Sequence, residues 1–90
     1  DEGMKTVARL TSLHQLDVAD TAVTDAGIKE LAPLKNLQFL WLANTQITDA
    51  ALADIAKFEK LVQLNVKGTK VTAEGVEGLT KALPKLRVQK

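Results

Sequence analysis

Apolar and polar positions recur along this chain with a fixed 24-residue period, from Leu13 to Leu37 to Leu61. Three consecutive segments share the pattern L-x-x-L-x-(L/V)-x-x-T, followed by a second half with apolar residues three or four positions apart. Because self-similarity at such a period is the signature of stacked repeats, we predict one domain over residues 1–90. Its predicted parts are a partial repeat at 1–12, full repeats at 13–36, 37–60 and 61–85, and the start of a terminal strand at 86–90.

The first half of each unit predicts a short β-strand. In the middle unit Leu40 and Leu42 lie two positions apart, which places both side chains on one face of a strand. Phe39 and Trp41 flank Leu40 and are therefore expected on the opposite face. The outer units keep the same alternation, with Leu16 and Val18 in one and Leu64 and Val66 in the other.

The second half of each unit predicts a helix. Thr48 precedes apolar residues at helical spacing, and threonine is a favourable N-cap. Asp49 falls in the first turn, where a carboxylate interacts well with the positive end of the helix dipole. Phe58 lies on the apolar row and is expected in the core. The corresponding residues of the outer units are Thr24, Asp25 and Thr72.

The consensus LxxLxLxxTxITDxGLxxLxxLxx resembles the leucine-rich repeat, in the 24-residue bacterial form related to the cysteine-containing repeats of F-box proteins. The resemblance implies an α/β fold, a right-handed solenoid of about three and a half repeats with a concave parallel sheet and convex helices. One position departs from the family. Thr21, Thr45 and Thr69 stand where many such repeats carry Asn or Cys, although a hydroxyl can still bond the backbone of the neighbouring turn.

Stacking the units aligns polar residues around the two aromatic side chains of the middle strand. Neighbouring strands lie about 4.8 Å apart, so the aligned side chains would form one patch on the concave face. The predicted rows are Gln15, Phe39 and Gln63, then Asp17, Trp41 and Asn65, then Ala19, Ala43 and Lys67. An exposed apolar patch with a polar rim usually marks a binding surface, and tryptophan often carries interface energy.

From this patch we predict a ligand-binding site with Trp41 as its anchor and Phe39 as its neighbour. The predicted polar residues of the site are Gln15, Asp17, Gln63, Asn65 and Lys67. The family resemblance makes a protein or peptide the expected partner, and a glycan is the competing ligand because a flat ring also suits sugars. A structural or assembly role with an inert concave face is the other alternative, since aromatic residues favour strands for their own sake.

The inventory of side chains argues against catalysis. The chain has one histidine, one serine, no cysteine and no tyrosine, so most pairs of nucleophile and base cannot be assembled. Asp17 and Asp20 are too few ligands for a metal site, and no cofactor is predicted. A net charge of +1 argues against nucleic acid, and no apolar run approaches a membrane span. A cytoplasmic and a secreted location are both compatible with the composition.

The two halves of the chain differ in charge. Residues 1–45 carry a balance of −2 and residues 46–90 a balance of +3. Because repeat arrays normally need capped ends, we expect either that the chain is a fragment of a longer array or that its ends meet other copies, and the charge asymmetry suits head-to-tail contact in the second case. In the partial first repeat, Met4, Val7 and Leu10 are expected to turn inward and shield the first strand.

Overall fold

In the computed structural model, short helices and short strands alternate along the chain. The structure describes residues 2–90, so Asp1 of the predicted partial repeat lies outside the described residues. The elements are α1 (Glu2–Val7), β1 (Gln15–Asp17), α2 (Asp25–Glu30), β2 (Phe39–Trp41), α3 (Asp49–Ile55), β3 (Gln63–Asn65), α4 (Ala73–Ala82) and β4 (Arg87–Gln89).

The four strands form one parallel sheet in the order β1-β2-β3-β4. Leu16 pairs with Leu40, Leu40 with Leu64, and Leu64 with Val88, so each strand is offset from the next by one repeat unit. This register confirms the two predicted rows on the strands. Helices of six, seven and ten residues separate strands that keep this same spacing.

A single apolar core lies between the sheet and the helices. Leu40 at the centre of β2 is fully buried, and so is Phe58 after α3, with 1% of its surface exposed. The predicted core position of Phe58 is therefore confirmed. Helices of six or seven residues are marginal in water by themselves, so α2 and α3 depend on this packing for their stability. The most deeply buried side chains are Ile28, Leu31, Leu34, Leu37, Leu40, Leu42, Ile47, Ile55, Phe58, Leu64 and Val66.

Threonines begin three of the helices, as predicted. The backbone is extended at Thr24, Thr48 and Thr72. The hydroxyl of Thr48 accepts a hydrogen bond from the Ala50 N–H, and that of Thr72 accepts one from the Gly75 N–H. These bonds satisfy backbone donors that a helix leaves without internal partners at its first turn.

Two aspartates join the starts of consecutive helices. Asp25 accepts hydrogen bonds from the N–H and hydroxyl of Thr48 at 2.8 and 2.6 Å, and Asp49 accepts the same pair from Thr72. The hydroxyl and N–H of Thr72 hold the pKa of Asp49 below its ordinary value. Gly75 leaves room for this contact, because a Cβ there would collide with Asp49 Oδ1. The sequence had suggested only a helix-dipole role for these aspartates.

The threonines at the ninth position act within their own units. Thr21, Thr45 and Thr69 each donate a hydroxyl hydrogen bond to the carbonyl three residues earlier. The hydroxyl therefore closes the turn that follows its own strand, and it does not link that turn to the neighbouring unit. Thr45, in the middle unit, is buried.

The prediction that Leu10 turns inward is wrong, because 53% of its surface is exposed. Met4 is buried and Val7 packs against the core, as expected. Leu34, the equivalent of Leu10 one unit later, has units on both sides and is fully buried. Within residues 2–90, Leu10 has a unit on one side only, so its side chain remains in solvent.

Candidate functional site

The open face of the sheet, defined by the outward residues of β1 to β4, carries a pair of stacked rings at its centre. Phe39 and Trp41 are half-buried, whereas Leu40 between them is fully buried. Their ring centroids lie 5.9 Å apart and their planes differ by 9°. Alternate residues of a strand project from the same face, which brings these two rings side by side. The pair therefore presents one continuous apolar surface.

Six of the seven predicted site residues lie on two rows across the open face. Gln15 and Gln63 flank Phe39 in register, and Asp17 and Asn65 flank Trp41. The structure thus brings these predicted residues together around the rings. The seventh, Lys67, is exposed and follows the end of β3, where its carbonyl accepts a hydrogen bond from the Asn44 N–H.

Two of the predicted polar residues already hold the backbone of their own strands. Asp17 Oδ1 accepts a hydrogen bond of 3.0 Å from the Ala19 N–H, and Asn65 Oδ1 accepts one of 2.9 Å from the Lys67 N–H. Such a bond from a side chain to the N–H two residues later is a common way to fix a turn. Asp17 and Asn65 therefore have a structural role in addition to any contact with a partner.

The middle unit lacks this turn bond, because the side chain of Trp41 has no oxygen to accept it. The equivalent donor is the N–H of Ala43, a half-buried residue, and it donates no hydrogen bond to any residue in the described part of the chain. An unpaired backbone N–H is a strong donor for an external acceptor. The tryptophan that supplies an apolar surface thus also leaves a donor open beside it.

A hollow of about 180 Å³ adjoins Trp41 on the side of β4. It is lined by Trp41, Gln63, Leu64, Asn65, Arg87 and Gln89. Arg87 and Gln89 are not among the site residues predicted from the sequence. The signal was present in the repeat, since they stand one repeat unit after Gln63 and Asn65 and pair with them in register.

The hydrogen bonds of this hollow fix which atoms it presents. Because Asn65 Oδ1 accepts from the backbone, its amide nitrogen is the donor, and it bonds Gln89 Oε1 at 3.1 Å. The NH₂ group of Gln89 is left as a donor, next to the guanidinium of Arg87 in β4. None of the six lining residues is acidic. The hollow is therefore suited to an acceptor that carries negative charge.

Charge is divided across the open face on the two sides of the rings. Asp17 lies on β1, next to Trp41, and Arg87 lies on β4, two strands from the rings. With neighbouring strands about 4.8 Å apart, these opposite charges are separated by about 14 Å across the sheet. The open face therefore carries opposite charges toward its two edges.

Comparison with known proteins agrees with the repeat assignment. Residues 9–32 match the model of a family described as Leucine Rich repeat. No curated protein matches the chain in sequence. Within residues 2–90, no helix combines the length and the apolarity that a membrane crossing requires.

Two solved structures have a similar fold. The chain is similar to a leucine-rich repeat protein of Leptospira interrogans, with 25% identity and a TM-score of 0.74 over 96% of this chain. It spans about a fifth (21%) of the length of that protein. It is also similar to a chain from the structure of the Chaetomium Mex67:Mtr2 subunits, with 18% identity and a TM-score of 0.77, covering 98% of this chain and 68% of the other. The fold is thus that of an α/β leucine-rich repeat solenoid, and the open face corresponds to its concave side.

Proposed function

We propose that the protein is a non-catalytic recognition module that binds a protein or peptide segment on its open face, with Trp41 as the anchor. We also assign its repeats to the 24-residue bacterial type related to the repeats of F-box proteins, on the basis of their constant interval. Leucine-rich repeat folds are typically non-catalytic, which supports a binding role.

The observation that carries the proposal is the difference between the middle strand and its neighbours. The outer units build the same strand with Gln15 and Asp17, or with Gln63 and Asn65. Rings at these positions are thus not needed to form the strand. In addition, Trp41 cannot accept the turn bond that Asp17 and Asn65 accept in the outer strands. A half-exposed aromatic pair framed by polar residues is typical of an interface centre.

Two further points support a protein partner. Leucine-rich repeat proteins generally act by binding other proteins, and the Chaetomium structure is that of an assembly of Mex67 and Mtr2 subunits. No specific feature of the open face favours a sugar over a peptide. The experiment therefore tests glycan binding separately from peptide binding.

The chain itself suggests the variant that tests the proposal. Phe39→Gln with Trp41→Asn gives the middle strand the residues that the outer strands use. Wild type is selected against a displayed library of random heptapeptides, and enriched peptides are then titrated against wild type and the double variant. We expect the variant to fold and its affinity to fall by about tenfold or more, as for loss of an interface hot spot.

A matched control removes an exposed apolar side chain elsewhere. Leu10→Asn acts on a leucine that is 53% exposed, at the turn after α1 and away from β2. It should bind the selected peptides as wild type does. Equal binding by the folded double variant would refute the proposal. A Trp41-dependent signal on a glycan array, with no enriched peptide, would replace it with the carbohydrate alternative.

A further inference from the structure

We infer that the segment bound on the open face is acidic: an apolar side chain packs on the rings of Phe39 and Trp41, and a carboxylate binds Arg87 in the adjoining hollow. This inference rests on the proposed function and specifies the chemistry of the partner. It follows from the donors around the hollow, from its charge, and from the spacing between the rings and Arg87.

The hollow offers hydrogen-bond donors and no competing negative charge. Asn65 accepts from the backbone with its oxygen and donates to Gln89 with its nitrogen, which leaves the NH₂ of Gln89 to donate outward. Arg87 is exposed and contributes a planar guanidinium, which matches a carboxylate with two parallel hydrogen bonds. An uncharged acceptor would use the amide alone and leave the guanidinium in water.

The formal charge of the hollow favours a carboxylate over a phosphate. Arg87 carries the one charge among the six lining residues. A single negative charge neutralises it, whereas a phosphorylated side chain brings about 1.5 to 2 negative charges. Asp17 on the far side of the rings repels an anion, so the acidic end of the segment is directed toward β4.

The distance between the rings and Arg87 determines how far apart the apolar and the acidic residue lie in the bound segment. Phe39, Gln63 and Arg87 lie on one row, so two strand separations of about 4.8 Å each bring the rings to Arg87. An extended peptide advances about 3.3 Å per residue and alternates its side chains. An apolar residue and a glutamate two positions later therefore lie on the same face, and the glutamate and arginine side chains span the remaining distance.

The open N–H of Ala43 supplies the third contact. In the outer strands this donor is occupied by the side chain of the strand itself, at Asp17 and Asn65. In the middle strand a main-chain carbonyl of the partner takes the same position beside Trp41. This contact is made to the main chain and does not depend on the partner's side chains. It therefore fixes the position of the segment, and specificity depends on the rings and Arg87.

The test compares two capped peptides, Gly-Ser-Leu-Ser-Glu-Ser-Gly and its counterpart with Gln for Glu, in an NMR titration. We expect the acidic peptide to bind wild type about three- to fivefold more tightly, the range of an exposed ion pair. It should shift the Ala43 amide and the indole of Trp41, the chain's only tryptophan. Raising the salt concentration should reduce the preference by screening the pair.

Two variants with the same loss of charge locate the effect. Arg87→Gln should remove the preference for the acidic peptide and leave the binding of the Gln peptide unchanged. Lys85→Gln is the matched control, since Lys85 is exposed, lies two residues away and does not line the hollow. It should keep the preference.

The outcomes separate this inference from the proposed function. Equal binding of both peptides by wild type, with loss of both in Trp41→Asn, would overturn the carboxylate site and leave the recognition role standing. A preference that survives Arg87→Gln, or tighter binding of a phosphoserine peptide, would overturn the assignment to Arg87 and to a carboxylate. No shift of Trp41 by either peptide would also overturn it, while the library selection decides the proposed function independently.

Discussion

The strands of the middle and third units have the same centre and different flanks. Leu40 and Leu64 pair in register and are both buried, whereas Phe39 and Trp41 stand where β3 has Gln63 and Asn65. The side of the strand that faces the helices is thus nearly invariant between units, and the side that faces solvent is not. The comparison distinguishes residues that are needed for the fold from residues that the fold does not require. Substitutions on the buried side and on the solvent side of the strands can test this distinction.

The largest effect is expected on the buried side. Leu40→Ala removes a fully buried side chain from the middle of the sheet and should lower the free energy of unfolding by about 2 to 5 kcal/mol. For a domain of this size that is a large part of the total stability. Urea denaturation followed by circular dichroism measures it. A variant as stable as wild type would mean that burial of the Leu40 side chain does not stabilise the sheet.

A smaller loss is expected at the turn after β3, where the units differ in another way. Gly68 has φ +74°, and the equivalent residues Asp20 and Asn44 also have positive φ. Gly68→Ala should cost about 1 to 2 kcal/mol, since alanine is strained there and its Cβ would meet Asn44 Oδ1. Denaturation of this variant beside Gly78→Ala, a helical glycine where an added Cβ meets open space, tests whether the strain is specific to the turn. Unchanged stability in Gly68→Ala would contradict the requirement for glycine.

The contact between Asp49 and Thr72 should give a smaller, pH-dependent effect. The pKa of Asp49 is lowered below its ordinary value of 3.8 by the hydroxyl and N–H of Thr72. The ionised carboxylate therefore adds stability above the unfolded-state pKa, and this is lost as the pH falls through the lower folded-state pKa. Asp49→Asn should lower the stability at pH 7 and reduce the difference in stability between pH 7 and pH 3.

A neighbouring aspartate provides the control for that measurement. Asp54 lies on the same helix and approaches Lys57 at 4.0 Å, without a contact to the next unit's threonine. Asp54→Asn should retain the pH dependence of wild type more fully than Asp49→Asn. Thermal denaturation across this pH range compares the two, and identical profiles would show that the contact between units does not contribute.

The smallest effect on stability is expected on the solvent side. Trp41→Asn loses the stacking with Phe39 and gains the turn bond to the Ala43 N–H that Asn65 makes to Lys67. Each contribution is about 0.5 to 1.5 kcal/mol and the two oppose each other, so the free energy of unfolding should change by less than about 1 kcal/mol. Slower hydrogen exchange at Ala43 would report the new bond. A loss above about 2 kcal/mol, the range of a truncated core side chain, would make Trp41 a structural residue.

The repeat period accounts for how much of the fold could be predicted from the sequence. Position within the 24-residue unit decided which residues face the core, as at Leu40 and Phe58. It failed at Leu10, because burial there depends on a neighbour on each side and not on the pattern within one unit. The period also predicted that Gln15 and Gln63 lie beside Phe39, because residues one repeat unit apart pair in register across the parallel sheet.

The details that the sequence could not provide are contacts between distant polar atoms. The pairing of Asp25 with Thr48 joins residues in different units, and their spacing does not reveal which oxygen accepts which proton. The donor of Gln89 likewise depends on a chain of bonds that begins at the backbone of Lys67. Such bonds require atomic positions, whereas the rows of the open face require only the period.

Helices of six, seven and ten residues accompany strands that remain one repeat unit apart in register. The extra length of α4 is absorbed before β4, where Arg87 still pairs with Gln63. The interval from one strand to the next is the same 24 residues throughout, so a helix gains length at the expense of the connecting segments and the rows of the open face keep their register. The helical side can therefore be remodelled independently of the strand face, and a new pattern of outward residues can arise on a strand while the unit length stays fixed.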